Sequence, residues 1–155
     1  MTPRSHVTAR LCKATVQEAL VHLTTPAGMA CWNLGLGDCR EAADGLITGE
    51  SRFDGSRGWV RVVRLAGIDA VDYHVGPAPD RLTARIHARA IDGATLGHGA
   101  GTSLVMLLAW RPDGMDDERW QRLVAVHEAE IELIRAQLEQ AAARDRRNGP
   151  SGARP

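Results

Sequence analysis

The sequence predicts an α+β domain in which a seven-stranded antiparallel sheet curves around one long C-terminal helix. Short segments rich in Val, Ile, Leu and Thr alternate with Asp-Gly dipeptides through the middle of the chain, and such dipeptides are typical of tight turns. The connections are too short to hold crossover helices, which favours antiparallel pairing. Apolar residues then recur at helical spacing near the end of the chain.

The first predicted strand, 6–14, alternates Val7, Ala9 and Leu11 with polar residues. Four Asp-Gly dipeptides, which begin at Asp44, Asp54, Asp92 and Asp113, divide the middle of the chain into strand-sized segments. The six further predicted strands are 39–43, 46–53, 59–65, 69–75, 82–91 and 102–111.

Two short helices are predicted between the first and second strands. Thr15 and Glu18 match the capping box, in which each side chain satisfies a free backbone N–H of the other residue, and this predicts a helix over 16–23. Thr25 and Pro26 then form a second start signal, and glycines at 35 and 37 end that helix.

The last predicted element is a long amphipathic helix over 116–143. Its apolar stripe has spacings of four and three residues and consists of Trp120, Val124, His127, Ile131, Ile134 and Leu138. Acidic residues lie at its start and arginines at its end, which suits the helix macrodipole. We therefore expect one domain over 1–147 and a disordered tail over 148–155.

The charge balance excludes several classes of function. The 155 residues hold 19 Lys+Arg and 19 Asp+Glu, so no net positive field favours nucleic acid or an anionic membrane surface. The longest apolar run is far shorter than a membrane span, and the N-terminus does not resemble a signal peptide, which predicts a cytoplasmic protein. Three unpaired cysteines and no paired Cys/His spacing predict reduced thiols and neither a metal site nor a cofactor.

The order of these elements resembles the helix-grip fold of the START-like, or SRPBCC, superfamily. The resemblance covers about 7–139 and includes three local features: the run from Thr15 to Leu20, the run from Thr25 to Trp32, and Trp120 with the apolar stripe that it begins. That superfamily includes polyketide cyclases, relatives of a birch-pollen allergen and activators of a heat-shock ATPase. The resemblance implies a cavity for a hydrophobic molecule between the sheet and the long helix.

Strand alternation predicts which side chains line such a cavity. Val71, Tyr73 and Ile86 are predicted to face inward, together with Leu82, Ala84, Ala88 and Ala90. The residues predicted to face outward are Asp72, His74, Arg85, His87 and Arg89. The predicted ligand-binding set is Tyr73, His127, Val71, Ile86, Trp120, Val124 and Ile131.

His127 and Tyr73 are the predicted polar groups of this apolar pocket. His127 lies within the apolar stripe, and a buried imidazole needs a hydrogen-bond partner, for which Tyr73 is a candidate. The pair has three interpretations: a satisfied core histidine, a contact to a ligand, or an acid–base pair. Glu130 is predicted to belong, with Glu128 and Glu132, to a solvated helix face.

These features leave three alternative functions. The first is binding of a hydrophobic or amphipathic small molecule, and the second is a polyketide cyclase- or dehydratase-like reaction that uses His127 and Tyr73. The third is a co-chaperone-like protein-interaction module, which predicts a filled core and an exposed apolar patch. The last strand is apolar on both faces, with Leu104, Met106 and Leu108 on one of them, so a homodimer that covers the outer face of the sheet is a further expectation.

Overall fold

The structure, a computed structural model, describes residues 3–149 and consists of one sheet and three helices. The strands are β1 (Ser5–Cys12), β2 (Leu36–Glu41), β3 (Ile47–Ser51), β4 (Arg57–Leu65), β5 (Ala70–Gly76), β6 (Thr83–Asp92) and β7 (Ser103–Trp110). The helices are α1 (Val16–Thr24), α2 (Pro26–Trp32) and α3 (Asp117–Asn148).

All seven strands pair antiparallel in the order β1-β7-β6-β5-β4-β3-β2. Strands β2 to β7 form a continuous meander, and β1 pairs with β7, with Val7 opposite Leu108. The first two strands therefore form opposite edges of the sheet, and α1 and α2 connect those edges. This architecture confirms the predicted helix-grip arrangement.

Side-chain caps determine where the helices begin. The Thr15 hydroxyl accepts from the backbone N–H of Glu18, and the Glu18 carboxylate accepts from the N–H of Thr15, which completes the predicted capping box. The Thr25 hydroxyl caps α2 by accepting from Gly28 N–H. Asp116 caps α3 through the N–H of Arg119.

The core lies on the inner face of the sheet, beneath α1, α2 and the middle of α3. Val71, Val105 and Leu107 from the sheet are fully or almost fully buried there. The helices cover them with Leu20, Leu23, Met29, Trp32, Ile131, Ile134 and Leu138. Burial of these side chains is the main contribution to the stability of the fold.

Several predicted element ends differ from the structure by two residues or more, and the largest differences are in β2 and α3. Strand β2 begins at Leu36, not at 39, and α3 continues to Asn148, not to 143. The Asp92-Gly93 dipeptide also differs from the predicted tight turn: Asp92 caps a short 3-10 helix, and the positive φ angle is at Gly97, not at Gly93. Of the predicted tail, Asn148 ends α3, and residues 150–155 lie outside the described residues. No helix within the described range is long and apolar enough to cross a membrane.

Candidate functional site

A cavity of about 450 Å³ lies between the inner face of the sheet, α2 and the first half of α3. This volume is within the usual range for small-molecule sites. Its buried end includes Met29, Trp32, Leu36, Val60, Tyr73, Leu107, His127 and Glu130, and its exposed rim includes Phe53, Asp54, Arg57 and Arg119. The walls are mostly apolar, and the polar groups are confined to a few positions.

Three of the seven predicted ligand-binding residues, Tyr73, Ile86 and His127, line this cavity. The other four, Val71, Trp120, Val124 and Ile131, are not among its described lining residues. Val71 on β5 and Ile131 on α3 belong to the filled part of the core, Trp120 is buried, and Val124 is half-buried. The neighbouring helix face, with Arg119, Leu123, Val126, His127 and Glu130, borders the cavity.

Tyr73 forms part of the cavity wall. Its hydroxyl donates a 2.7 Å hydrogen bond to the carbonyl of Leu23, which holds α1 against the sheet. Its ring meets Trp32 edge to face, with the ring centroids 6.0 Å apart. Burial, and to a smaller extent the nearby Glu130, raise the pKa of the Tyr73 hydroxyl. The candidate hydrogen bond between Tyr73 and His127 is thus replaced by one to the α1 backbone.

His127 is a buried, neutral imidazole. Burial, reinforced by the neighbouring His6 and opposed by Glu128, lowers the pKa of His127 to about 4. Its Nδ1 has no hydrogen-bond partner among residues 3–149, and its Nε2 lies 4.0 Å from the Glu130 carboxylate, too far for a hydrogen bond. A buried polar ring without a partner is the kind of group that a ligand or water satisfies.

The environment predicted for Glu130 is wrong. The residue is buried and lines the cavity, whereas a solvated position was predicted. Its Oε1 accepts a 2.8 Å hydrogen bond from the backbone N–H of Leu34, in the connection between α2 and β2. Burial raises the pKa of Glu130 to about 7, although the N–H groups of Leu34 and Gly35 oppose the rise. Glu130 lies three residues after His127, so the two side chains share a helix face, and this spacing could have predicted that Glu130 lies beside the buried histidine.

Arg85 also differs from its predicted outward orientation. The pairing of β5 with β6 shifts between Tyr73 and His74: Tyr73 is opposite Ile86 and His74 is opposite Ala84. Arg85 is therefore an extra residue in a β-bulge, and the alternation reverses beyond it, so Ala84 pairs with the outward-facing His74. Arg85 lines the cavity beside Ile86, and it also lines a second cavity, of about 400 Å³, beneath the start of α3.

Comparisons with known proteins agree with this geometry. No protein-family model and no curated relative matches the sequence. Among solved structures, a START superfamily protein from Mycobacterium smegmatis has a TM-score of 0.63 at 11% identity, and the match covers 90% of this chain and 99% of that one. The Zhui aromatase/cyclase from a Streptomyces species has a TM-score of 0.63 at 15% identity, with 97% and 99% covered.

A third match is a dimeric protein from Colwellia psychrerythraea, whose solution structure has a TM-score of 0.62 at 17% identity over 90% of this chain and 97% of that one. The chain has the START-like helix-grip fold. At these identities the likeness concerns the fold, and the function has to be argued from the cavity itself.

Proposed function

We propose that this START-like chain binds a hydrophobic or amphipathic small molecule in the cavity between the sheet and α3. The observation that carries the proposal is the 450 Å³ space itself, with apolar walls and a few polar groups at its buried end. The cavity favours this proposal over the interaction-module hypothesis, which predicted a filled core. The exposed apolar patch that the same hypothesis predicted corresponds to Val7 and Leu11 on β1.

The buried end of the cavity would recognise a neutral polar group of the ligand. A protonated Glu130 is a hydrogen-bond donor for a carbonyl or hydroxyl, and its pKa of about 7 makes this form abundant near neutral pH. The neutral His127 lies one helical turn earlier and adds a second polar contact. Tyr73 would contribute its ring and the remaining acceptor capacity of its hydroxyl.

We expect the neutral fluorophore N-phenyl-1-naphthylamine to bind this cavity and Ile86→Trp to weaken its binding. The indole would project from the inner face of β6 into the space that the probe needs, so we expect the Kd to rise about 30-fold, which is roughly 2 kcal/mol. Fluorescence titration, with circular dichroism to check folding, measures this effect.

Ile91→Trp is the matched control. Ile91 belongs to the same strand but pairs with Leu104 and shares its outer face, so this substitution leaves the cavity unchanged. Equal binding by the wild type and both folded variants would place the probe elsewhere and contradict the proposal.

A cyclase- or dehydratase-like reaction is the second candidate function, and the buried Glu130 favours it. A carboxyl group with a pKa of about 7 in a largely apolar cavity suits proton abstraction beside a carbonyl group. The Tyr73 hydroxyl already donates its hydrogen bond to the Leu23 carbonyl. The acid–base pair of the cyclase-like reaction would therefore be Glu130 with His127, not His127 with Tyr73.

We further propose that a second copy of the chain covers the outer face of β1 and β7. On this face Val7 and Leu11 are exposed and Leu104, Met106 and Leu108 are half-buried, and the five side chains form one apolar patch across the two paired strands. Next to the patch lie Arg89 and His87 on β6, and His87 Nδ1 is 2.7 Å from the Asp72 carboxylate on β5. The face therefore has groups of both charges at the border of the patch, which a self-complementary twofold interface can pair.

We expect sedimentation velocity to show a dimer for the wild type and a monomer for Leu108→Arg. The substitution would place two unpaired guanidinium groups in the centre of the interface and weaken association at least 100-fold. Leu96→Arg, on an exposed loop after β6, is the control and should stay dimeric. A monomeric wild type would rule out the second copy.

A further inference from the structure

Arg85 occupies an unusual position for a cation. The bulge in β6 turns a residue that strand alternation assigns to the outer face towards the inner one. Bulges often occur next to binding sites because the extra residue re-aims a side chain. Here the Arg85 Nε donates a 3.0 Å hydrogen bond to the hydroxyl of Thr83, which pairs with the cavity residue Val75.

The guanidinium group of Arg85 has no carboxylate partner in the described part of the chain. It donates to the neutral Thr83 hydroxyl, and the residue is half-buried. A guanidinium group that is partly removed from water gains much from an anion, especially one that accepts two parallel hydrogen bonds. Arg85 therefore retains most of its capacity to bind an acidic group.

The other charges at the rim increase the local positive potential. Arg119, in the first turn of α3, lines both cavities together with Arg85. The one nearby carboxylate that lines both cavities within residues 3–149, Asp54, accepts hydrogen bonds from the hydroxyl and N–H of Ser56 and interacts electrostatically with Arg119. The rim shared by the two cavities therefore has two guanidinium groups and one carboxylate that is already hydrogen-bonded.

We propose that the ligand is an acidic amphiphile whose carboxylate, sulfonate or phosphate group binds Arg85 at the rim. This inference rests on the proposed function and adds the orientation of the ligand to it. The apolar body extends towards Trp32 and Leu107, and the acidic group stays at the rim, because an anion in the buried end would lose its hydration and gain no cationic partner among the described residues there.

Two matched fluorophores test this assignment. 8-Anilinonaphthalene-1-sulfonate has the same aromatic body as N-phenyl-1-naphthylamine and adds one sulfonate group. We expect Arg85→Gln to weaken sulfonate-probe binding about 10-fold and to change neutral-probe binding less than about 2-fold. Arg85→Lys, which keeps the charge but not the planar fork, should restore part of the loss.

Arg40→Gln, on the exposed edge strand β2, is the control for a change in overall charge and should leave both affinities unchanged. Raising the salt concentration should weaken binding of the sulfonate probe alone. If both probes bind but neither responds to Arg85→Gln, the anion site is overturned and the cavity proposal stands. If neither probe binds the wild type, the cavity proposal itself fails, and the anion site fails with it.

Discussion

Glu130→Gln is expected to stabilise the protein above neutral pH and to have little effect at pH 5. The pKa of Glu130 rises from an ordinary 4.5 in the unfolded chain to about 7 in the folded protein. Below pH 4.5 both states hold the proton, so this carboxyl contributes nothing to the pH dependence. As the pH rises to 7, the unfolded state ionises first, and the free energy of unfolding falls.

The variant removes this titration but keeps the contact that positions the side chain, because the Gln oxygen can still accept from Leu34 N–H. At 1.36 kcal/mol per pKa unit, the gain of the variant over the wild type should grow by roughly 2 kcal/mol between pH 5 and pH 8. Urea denaturation at both pH values measures this difference. The pKa of His127 is about 4 in the folded protein, so its imidazole is neutral there across this pH range and its contribution is nearly the same in both proteins.

Glu132→Gln is the matched control on the same helix, and its effect should have the opposite sign. Hydrogen bonds from Arg10 and Arg135 lower the pKa of Glu132, so its stabilising contribution is present above pH 4.5 and is lost in acid. If the Glu130→Gln protein is equally or less stable than the wild type at pH 8, the pKa of Glu130 is not raised by folding and the prediction is wrong.

The architecture could be predicted because its signals are local. Asp-Gly dipeptides such as Asp44-Gly45 mark turns through their own backbone preference, and both residues adopt positive φ angles in the structure. The stripe from Trp120 to Leu138 requires a helix with one buried face, whatever covers that face. Strand order then followed from short connections, which leave few alternatives.

The candidate site was harder to predict because two non-local features decide it. The bulge at Arg85 reverses the alternation of β6, and no turn residue or glycine announces it. Glu130 lies at the flank of the apolar stripe, where a helix on a flat sheet would meet water. The connection between α2 and β2 covers that flank and supplies the Leu34 N–H, a contact between residues far apart in sequence.

A larger effect is expected from Gly28→Ala, because Gly28 of α2 lies directly against the backbone of α1. A Cβ atom built at this position would lie 2.1 Å from the carbonyl oxygen of His22, which is backbone and has no rotamer to change. That same carbonyl accepts the 3.1 Å hydrogen bond from the indole of Trp32, a wall of the cavity. We expect the free energy of unfolding to fall by about 3 kcal/mol.

Helix propensity alone predicts the opposite sign, since Ala in place of a helical Gly stabilises by up to about 1 kcal/mol. Gly67→Ala is the control for the conformational effect of replacing Gly by Ala. A Cβ atom at this position meets nothing within 4 Å, and the φ angle of Gly67 is not positive. We expect Gly67→Ala to be neutral or slightly stabilising in urea. Gly28→Ala should also weaken naphthylamine binding, because α2 carries Met29 and Trp32 away from the cavity when it moves off α1. Stabilisation by both substitutions would mean that α1 and α2 are not in close contact and that the cavity lacks this wall.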